Sequence, residues 1–150
     1  MKLHKAKIYY NPNMNEILEF FELKQKHPSG YYILGNANKD IVDTLQTNIS
    51  EIVISHQTIL KNISHHTDLS INDYKNLDKI IGKYNILIKD GEYTVGIVHY
   101  EYEEYYYALK STKSRNTIFL TSFRKTSKHD IQRLKNKLSK GKIEVIKGKL

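Results

Sequence analysis

The stretch that most constrains how this chain can fold lies at residues 84–102. It reads YNILIKDGEYTVGIVHYEY, two strand-like segments on either side of Asp90-Gly91. Asp-Gly between such segments is a strong signal for a tight β-hairpin, because glycine readily adopts the positive φ that these turns require. Two more strands follow, EYYYALKS and NTIFLTSFRK, joined by the polar loop TKSR. We therefore expect an antiparallel sheet of about four strands in the second half of the chain.

The first half carries helical signals instead. Residues 14–26 have an apolar face and end at a Pro-Ser-Gly turn, and a second short helix is expected within ANKDIVDTLQTN. YYILG and EIVIS read as short strands between these helices. Ser55 and Ser70 are good N-caps for two further helices, and Gly82 ends the second of them. Helices first and a sheet second indicate an α+β fold, with the N-terminal helices packed on the C-terminal antiparallel sheet.

Charge divides the chain into two unequal parts. Residues 110–150 hold 13 Lys and Arg against two Asp and Glu, whereas residues 1–109 hold 11 against 14. The basic part includes SKHDIQRLKNKLSK, an amphipathic helix with Ile131, Leu134 and Leu138 facing inward, and KIEVIKG, which reads as an edge strand. A basic third on a mildly acidic remainder attracts polyanions, of which RNA and DNA are the commonest. A solvated basic tail is the alternative interpretation.

Composition restricts the remaining possibilities. The 150 residues fit a single domain spanning 1–150. The absence of cysteine excludes disulfides and thiolate metal sites. There is no apolar run of membrane-spanning length, and residues 1–13 lack the apolar middle of a secretory signal. We expect a cytoplasmic protein that makes no contact with a membrane.

Residues 55–66 form a predicted helix with an unusual group of proton-carrying side chains. At about 100° per residue, Ile59, Leu60 and Ile63 share the side that faces the core. His56 projects to that side too, so we expect it to be packed and structural. The opposite side carries Thr58, Lys61 and His65, with His66 at the flank.

A metal site, a catalytic face and an ordinary polar stripe are three interpretations of this helix. Adjacent His65 and His66 diverge by about 100°, and the chelating spacing of four pairs His66 with Asn62, a poor ligand, so we expect no metal. Lysine beside histidine does suit phosphodiester cleavage. Histidine can take or give a proton near neutral pH, and lysine neutralises charge on the phosphoryl oxygens.

The run ISHQTILKNISHHTDLSINDYKNL, residues 54–77, resembles the central motif of phage-associated nuclease domains. These belong to the barnase, EndoU, colicin and RelE-like (BECR) superfamily of metal-independent ribonucleases. In that motif a strand ending in Leu-Ser leads to a helix with Thr and Lys, then to His-Pro-Glu and an acidic-Tyr helix. Ile54-Ser55, Thr58, Lys61 and Asp73-Tyr74 correspond to these features, and His66-Thr67-Asp68 stands where His-Pro-Glu is expected.

The resemblance continues downstream and spans about residues 51–128. In YYYALKSTKSRNTIFLTSFRK the first strand ends in Lys110, and the second carries Thr121-Ser122 before Phe123 and Arg124. It implies a ribonuclease-like fold, no cofactor, and RNA cleavage in which the 2′-hydroxyl attacks the phosphodiester. Either His65 or His66 would be the functional histidine. The catalytic residues that it implies are Lys61, His66 or His65, Lys110, Ser122 or Thr121, and Arg124.

Strand alternation and the tyrosines add candidate substrate contacts. Strict alternation puts Ser122 and Arg124 on one face of their strand, together with Ile118 and Leu120. Arg124 on such a face can hold a phosphate through two hydrogen bonds. Aromatic rings stack on unpaired bases, and Tyr106 is the favoured platform because it shares a strand face with Lys110. The expected substrate-binding residues are Thr58, Tyr106 and Lys125.

Two other histidines are alternatives for a second proton carrier. His99 lies in mid-strand, where we expect a cross-strand partner, and His129 lies near the start of the basic helix, where we expect it to be exposed.

The sequence therefore predicts a small metal-independent endoribonuclease of phage or toxin type. Its expected partners are RNA, with transfer RNA among the candidates, and an inhibitory protein. Two alternatives remain open: a phage or mobile-element module that binds nucleic acid without chemistry, and a protein-interaction domain whose basic tail meets an acidic partner.

Overall fold

A computed structural model describes residues 14–114 and 116–150, and the expectation about residues 1–13 lies outside that part of the chain. The α+β class is confirmed. The helices are α1 Met14–Glu22, α2 Lys39–Leu45, α3 His56–His65, α4 Ile71–Lys75, α5 Leu77–Ile80 and α6 Lys128–Ser139. The strands are β1 Tyr32–Asn36, β2 Glu51–Ile54, β3 Ile86–Asp90, β4 Tyr93–Tyr100, β5 Glu103–Ser111, β6 Ile118–Lys125 and β7 Glu144–Lys147.

The sheet is larger than the sequence analysis expects. Seven strands take the order β1-β2-β6-β5-β4-β3-β7, and the prediction of about four antiparallel strands is wrong. The two strands of the first half join the sheet because β2 pairs in parallel with β6, and β7 adds itself antiparallel to β3. Short segments such as EIVI are visible in the sequence, but the partner of each strand is a long-range choice that local pattern does not encode.

Local signals are accurate at most element ends. The side chain of Ser55 caps α3 by accepting from Thr58 N, and the Asp73 carboxylate accepts from Ser70 N at the start of α4. Gly91 has φ +61° in the β3–β4 turn, as the predicted hairpin requires. The single helix expected after Ser70 is divided at Asn76 into α4 and α5. Helix α1 also differs from expectation, since it ends at Glu22 rather than near residue 26. The chain beyond it is extended and bonds to β1, with Ile33 N donating to Gln25 O at 2.9 Å.

Helices cover both faces of the sheet. Helices α1 to α5 pack on one face over a large core that includes Phe21, Tyr74 and Tyr107. Helix α6 packs on the other face, where Leu134 meets Tyr106 and Ala108 in a second, smaller core. The expected packing of N-terminal helices on the sheet thus describes only one of its faces.

A β-bulge in β6 changes which side chains share a face. Ala108 pairs with Ser122 but Leu109 pairs with Leu120, so Thr121 is an extra residue. Strict alternation fails at this point. Ile118 and Leu120 belong to the large core, and Ser122 and Arg124 project to the opposite face, not to the same one as predicted.

Candidate functional site

The position of α3 is set by the free edge of β6. Strand β2 pairs with β6 at only two positions and ends at Ile54, whereas β6 continues to Lys125. Beside the unpaired part of β6, the buried Asn62 of α3 replaces a strand. Its Nδ2 donates to Phe123 O at 2.8 Å, its Oδ1 accepts from Phe123 N at 3.0 Å, and Nδ2 also donates to the Tyr74 hydroxyl at 2.9 Å. One amide side chain thereby anchors the helix and satisfies an exposed strand edge.

This anchoring turns the polar stripe of α3 toward the face of the sheet that carries α6. Ile59 and Ile63 are buried in the large core on the other side of the helix. Lys61 then lines a hollow of about 330 Å³ whose opposite wall is Lys137 of α6. The floor of this hollow includes Tyr106 and Ser122. We call this feature the smaller hollow.

A larger hollow of about 660 Å³ adjoins the smaller one, and Tyr93 and Thr121 line both. Thr58 and Lys110 line the larger hollow, as do several residues at the ends of β3 to β6. The two hollows together form a groove. Six of the predicted site residues line this groove: Thr58, Lys61, Tyr106, Lys110, Thr121 and Ser122.

The bulge explains why both Thr121 and Ser122 reach the groove. Thr121 Oγ1 donates to Ala108 O at 3.1 Å, which holds the extra residue against the neighbouring strand. Ser122 Oγ accepts from Arg124 Nη1 at 2.9 Å. The register left open by the sequence is thus settled in favour of two hydroxyls in the groove.

The groove is positively charged. Among the described residues that line it, five are lysines and two are carboxylates. Lys137 is paired with Asp90 at 2.9 Å, and Lys110 lies 3.9 Å from Glu92. Lys61 is exposed and makes no ion pair with any residue that the structure describes, so its ammonium is available to an anionic ligand.

His66 lies at the end of α3, where its backbone N–H donates to the backbone oxygen of Asn62 at 3.0 Å. The ring is half-buried. Burial first, and the nearby Arg124 cation second, lower the pKa of His66 below its usual value, against a smaller opposing effect of Asp68. The imidazole is therefore neutral at pH 7 and able to accept a proton. His65 is exposed, with its ring centroid 6.4 Å from that of His66, so His66 has the environment suited to acid–base chemistry.

Arg124 is held by groups of the protein itself. Its Nη2 and Nε donate to the two carboxylate oxygens of Asp130 in α6, at 2.8 and 3.3 Å. Its guanidinium carbon lies 3.9 Å from the ring centroid of Tyr106. Burial opposes ionisation of Asp130, but hydrogen bonds from Arg124 and Ser127 outweigh it and lower the pKa of Asp130 to about 2. Arg124 thus has less capacity for a bidentate phosphate contact than the sequence analysis assigns to it.

Three side chains lie in surroundings that differ from those expected. Tyr106 lines the smaller hollow but is only 6% exposed and lies under Arg124, so this ring face is not free to stack on a base. Lys125 pairs with Glu103 and lies in register with Tyr105 of the large core, so it is on the face opposite Arg124 and outside the groove. His56 is exposed rather than packed, because it lies in the first turn of α3, ahead of the buried face.

The remaining histidines behave as expected. His99 has a cross-strand partner, since its Nε2 lies 3.0 Å from Glu104 Oε2, and His129 is exposed on α6. Neither side chain lines the groove.

Several groove residues escape the sequence analysis. Tyr93 is 40% exposed and begins β4 directly after the Gly91-Glu92 turn, where it pairs with Asp90 of β3 and with Lys110 of β5. The Asp-Gly signal predicts the first pairing, whereas the second depends on the register between β4 and β5. Lys137, Lys89 and Lys113 carry no such local signal and reach the groove through tertiary packing.

Comparison of the chain with protein-family models, curated proteins and solved structures finds no match. The described helices include none with the length and apolar character that crossing a bilayer demands. In residues 14–114 and 116–150, no three His, Asp or Glu side chains converge as metal ligands.

Proposed function

We propose that the protein is a metal-independent endoribonuclease that cleaves RNA by attack of the 2′-hydroxyl on the adjacent phosphodiester. The observation that carries this proposal is convergence in space. His66 and Arg124 are not among the residues that line the two hollows, but they adjoin the groove. Arg124 Nη1 donates to Ser122 Oγ on the floor of the groove, and the Arg124 cation, second to burial, lowers the pKa of His66. Lys61 lines the same groove. These groups come from α3 and β6, which are far apart in the chain.

The chemistry asks little of the protein beyond placement. A neutral His66 accepts the proton of the 2′-hydroxyl. The 2′-oxygen bonds to phosphorus, and the bond between phosphorus and the 5′-oxygen breaks. The leaving oxygen takes a proton from water or from the imidazolium just formed. Lys61 neutralises the charge that builds on the non-bridging oxygens. The products are a 2′,3′-cyclic phosphate and a 5′-hydroxyl, and atoms and charge balance without a metal or cofactor.

Arg124 is assigned a positioning role in this scheme. Its ion pair with Asp130 leaves the guanidinium partly committed, while its positive charge lowers the pKa of His66 and its Nη1 orients Ser122. Ser122 can then donate its hydroxyl hydrogen to a phosphoryl oxygen.

Incubation of the purified protein with labelled single-stranded RNA in EDTA tests the proposal. We expect cleavage that leaves cyclic phosphate ends, and we expect His66→Ala and Lys61→Ala to reduce the rate at least about 100-fold each. His129→Ala is the matched control, since His129 is an exposed helical histidine outside the groove. Equal activity of His66→Ala and His129→Ala would refute the assigned role, provided that thermal melts show all variants to be folded.

A module that binds nucleic acid without cleaving it is the second candidate. The Arg124–Asp130 ion pair favours it, because a committed guanidinium stabilises structure rather than a transition state. In this case lysine substitutions in the groove would weaken binding in a salt-dependent manner, His66→Ala would bind normally, and RNA would stay intact. Failure to bind any nucleic acid would leave the protein-interaction alternative.

A further inference from the structure

We propose that the larger hollow is a subsite for one unpaired nucleotide of the strand, with the base on Tyr93 and its phosphate on Lys110. The substrate would accordingly be single-stranded RNA or an unpaired loop and not a duplex. This inference rests on the proposed function for the identity of the strand, and it adds a recognition element outside the place assigned to bond cleavage.

A row of side chains across three strands forms the proposed subsite. Tyr93 of β4 pairs with Lys110 of β5, and Lys110 pairs with Phe119 of β6. Paired residues on adjacent strands project to one face about 5 Å apart, so the Lys110 side chain leaves the sheet between those of Tyr93 and Phe119. All three side chains line the larger hollow.

The aromatic ring of the subsite is accessible. Tyr93 is among the few large apolar side chains that the fold leaves exposed, and Lys110 Nζ lies 5.5 Å from its ring centroid. A ring that is accessible, next to a cation and in a concavity has the chemistry that binds a base together with its phosphate.

The volume and charge of the hollow also suit a nucleotide. Its volume of about 660 Å³ lies within the range of small-ligand sites. Lys89, Lys110 and Lys113 outweigh Glu92, the exposed carboxylate 3.9 Å from Lys110, so the lining is net positive. Thr121 and Tyr93 connect it directly to the smaller hollow where Lys61 lies. A strand whose phosphodiester lies near Lys61 would therefore continue into the larger hollow without leaving the protein surface.

Base pairing is incompatible with this arrangement. A base can stack on Tyr93 only if its faces are free, and a stacked, paired base has both faces covered. Duplex RNA would meet the lysines of the groove but would gain nothing from the aromatic side chain. The preference for unpaired strands should thus depend on Tyr93. The electrostatic attraction between the groove lysines and phosphates, which duplex and single strands share, should not.

A double-mutant cycle that combines Tyr93→Ala in the protein with removal of one base from the oligonucleotide tests the subsite. The probe is an all-deoxy single strand, which lacks the attacking hydroxyl and cannot be cleaved by the proposed route, and its binding is followed by fluorescence anisotropy. Abasic sites are placed at successive positions along it. We expect one position to weaken binding to the wild type about 5- to 100-fold, the factor expected for loss of one stacked base.

The affinity for the same abasic probe should not fall further when Tyr93 is replaced by alanine. Tyr93→Ala should bind the intact probe as weakly as the wild type binds the abasic one, and Tyr93→Phe should restore binding. Tyr102→Ala is the control, because Tyr102 is a fully exposed tyrosine at the tip of the β4–β5 hairpin. Lys113→Ala should reduce the slope of log K against log salt by about 0.7, and Lys79→Ala on α5 should not.

The outcomes separate this inference from the proposed function. Suppose that the protein cleaves RNA, and that Tyr93→Ala and the abasic position change the binding free energy of the deoxy probe additively. That pair of results would overturn the subsite and leave the ribonuclease proposal standing. Intact RNA together with a non-additive cycle would overturn the ribonuclease proposal and leave the subsite standing. Duplex and single strands that bind equally well, both insensitive to Tyr93→Ala, would also overturn the subsite.

Discussion

Replacement of Asn62 by alanine should destabilise the protein more than any other change of a polar side chain on α3. Asn62 is 5% exposed and makes three hydrogen bonds, two to the backbone of Phe123 and one to the Tyr74 hydroxyl. Alanine leaves all three partners without their bond in a buried setting. Each unsatisfied buried group costs about 1–3 kcal/mol, and water entering from the β6 edge recovers part of that, so we expect a loss of about 3–5 kcal/mol.

Urea denaturation followed by circular dichroism measures this loss. A chain of this size has an m-value of about 2 kcal/mol/M, so the midpoint should fall by about 2 M with m unchanged. Asn136→Ala is the matched control, because Asn136 is an exposed residue of α6 whose side-chain oxygen accepts from the exposed Gln132 Nε2 at 3.0 Å. It should change the free energy of unfolding by less than about 0.5 kcal/mol.

The result bears on the site as well as on stability. If Asn62→Ala loses less than about 1 kcal/mol, Asn62 does not hold α3 against the β6 edge, and the explanation of how Lys61 reaches the groove is refuted. If the variant loses stability as expected, cleavage measured well below its melting temperature should also fall, because α3 would no longer be fixed beside β6.

Three further predictions concern titration and packing. The pKa of His66 is lower in the folded state than in the unfolded state, so the unfolded state binds more protons as pH falls below 6.5. The free energy of unfolding should therefore decrease as pH drops from 6.5 through the folded pKa. Urea melts of the wild type and of His66→Gln should show different pH dependences in that window. Arg124→Gln removes the cation beside His66 and should raise the pKa of His66 toward its usual value, as measured by NMR titration. An unaltered His66 pKa would contradict the proposed coupling. Gly96→Ala should destabilise the fold by about 1–3 kcal/mol or more in the same melts. The added Cβ would lie 2.2 Å from the Tyr107 ring inside the core. An unchanged free energy of unfolding would show that the ring can move aside.

Prediction from sequence succeeds where the signal is local. The N-caps at Ser55 and Ser70, the glycine turn at Gly91 and the apolar stripe of α3 are all found in the structure, because each depends on residues within one or two turns of each other. The grouping of Thr58 and Lys61 on one side of a helix is of the same kind. The errors begin where a residue depends on a distant partner. Leu138 is 40% exposed although it fits the apolar period of α6, and His56 faces solvent although it fits that of α3.

The candidate site shows the same division. Histidine and lysine on α3 were visible as a chemical pattern, yet the choice between His65 and His66 required knowing that the latter lies beside Arg124. Tyr106 was the favoured base platform because it shares a strand face with Lys110, but the sequence contained no sign that α6 and Arg124 would cover it.

By itself, the order of the amino acids determined the class of the fold, most helix boundaries, the basic character of the C-terminal third and the groups able to carry a proton. Tertiary structure alone decided the seven-strand order, the bulge at Thr121, the anchoring of α3 by Asn62 and the commitment of Arg124 to Asp130. The physical reason is that propensity, capping and turn geometry act over a few residues. Strand pairing and burial compare the free energies of whole arrangements, and here the short β2 left an edge of β6 that only a distant helix could fill.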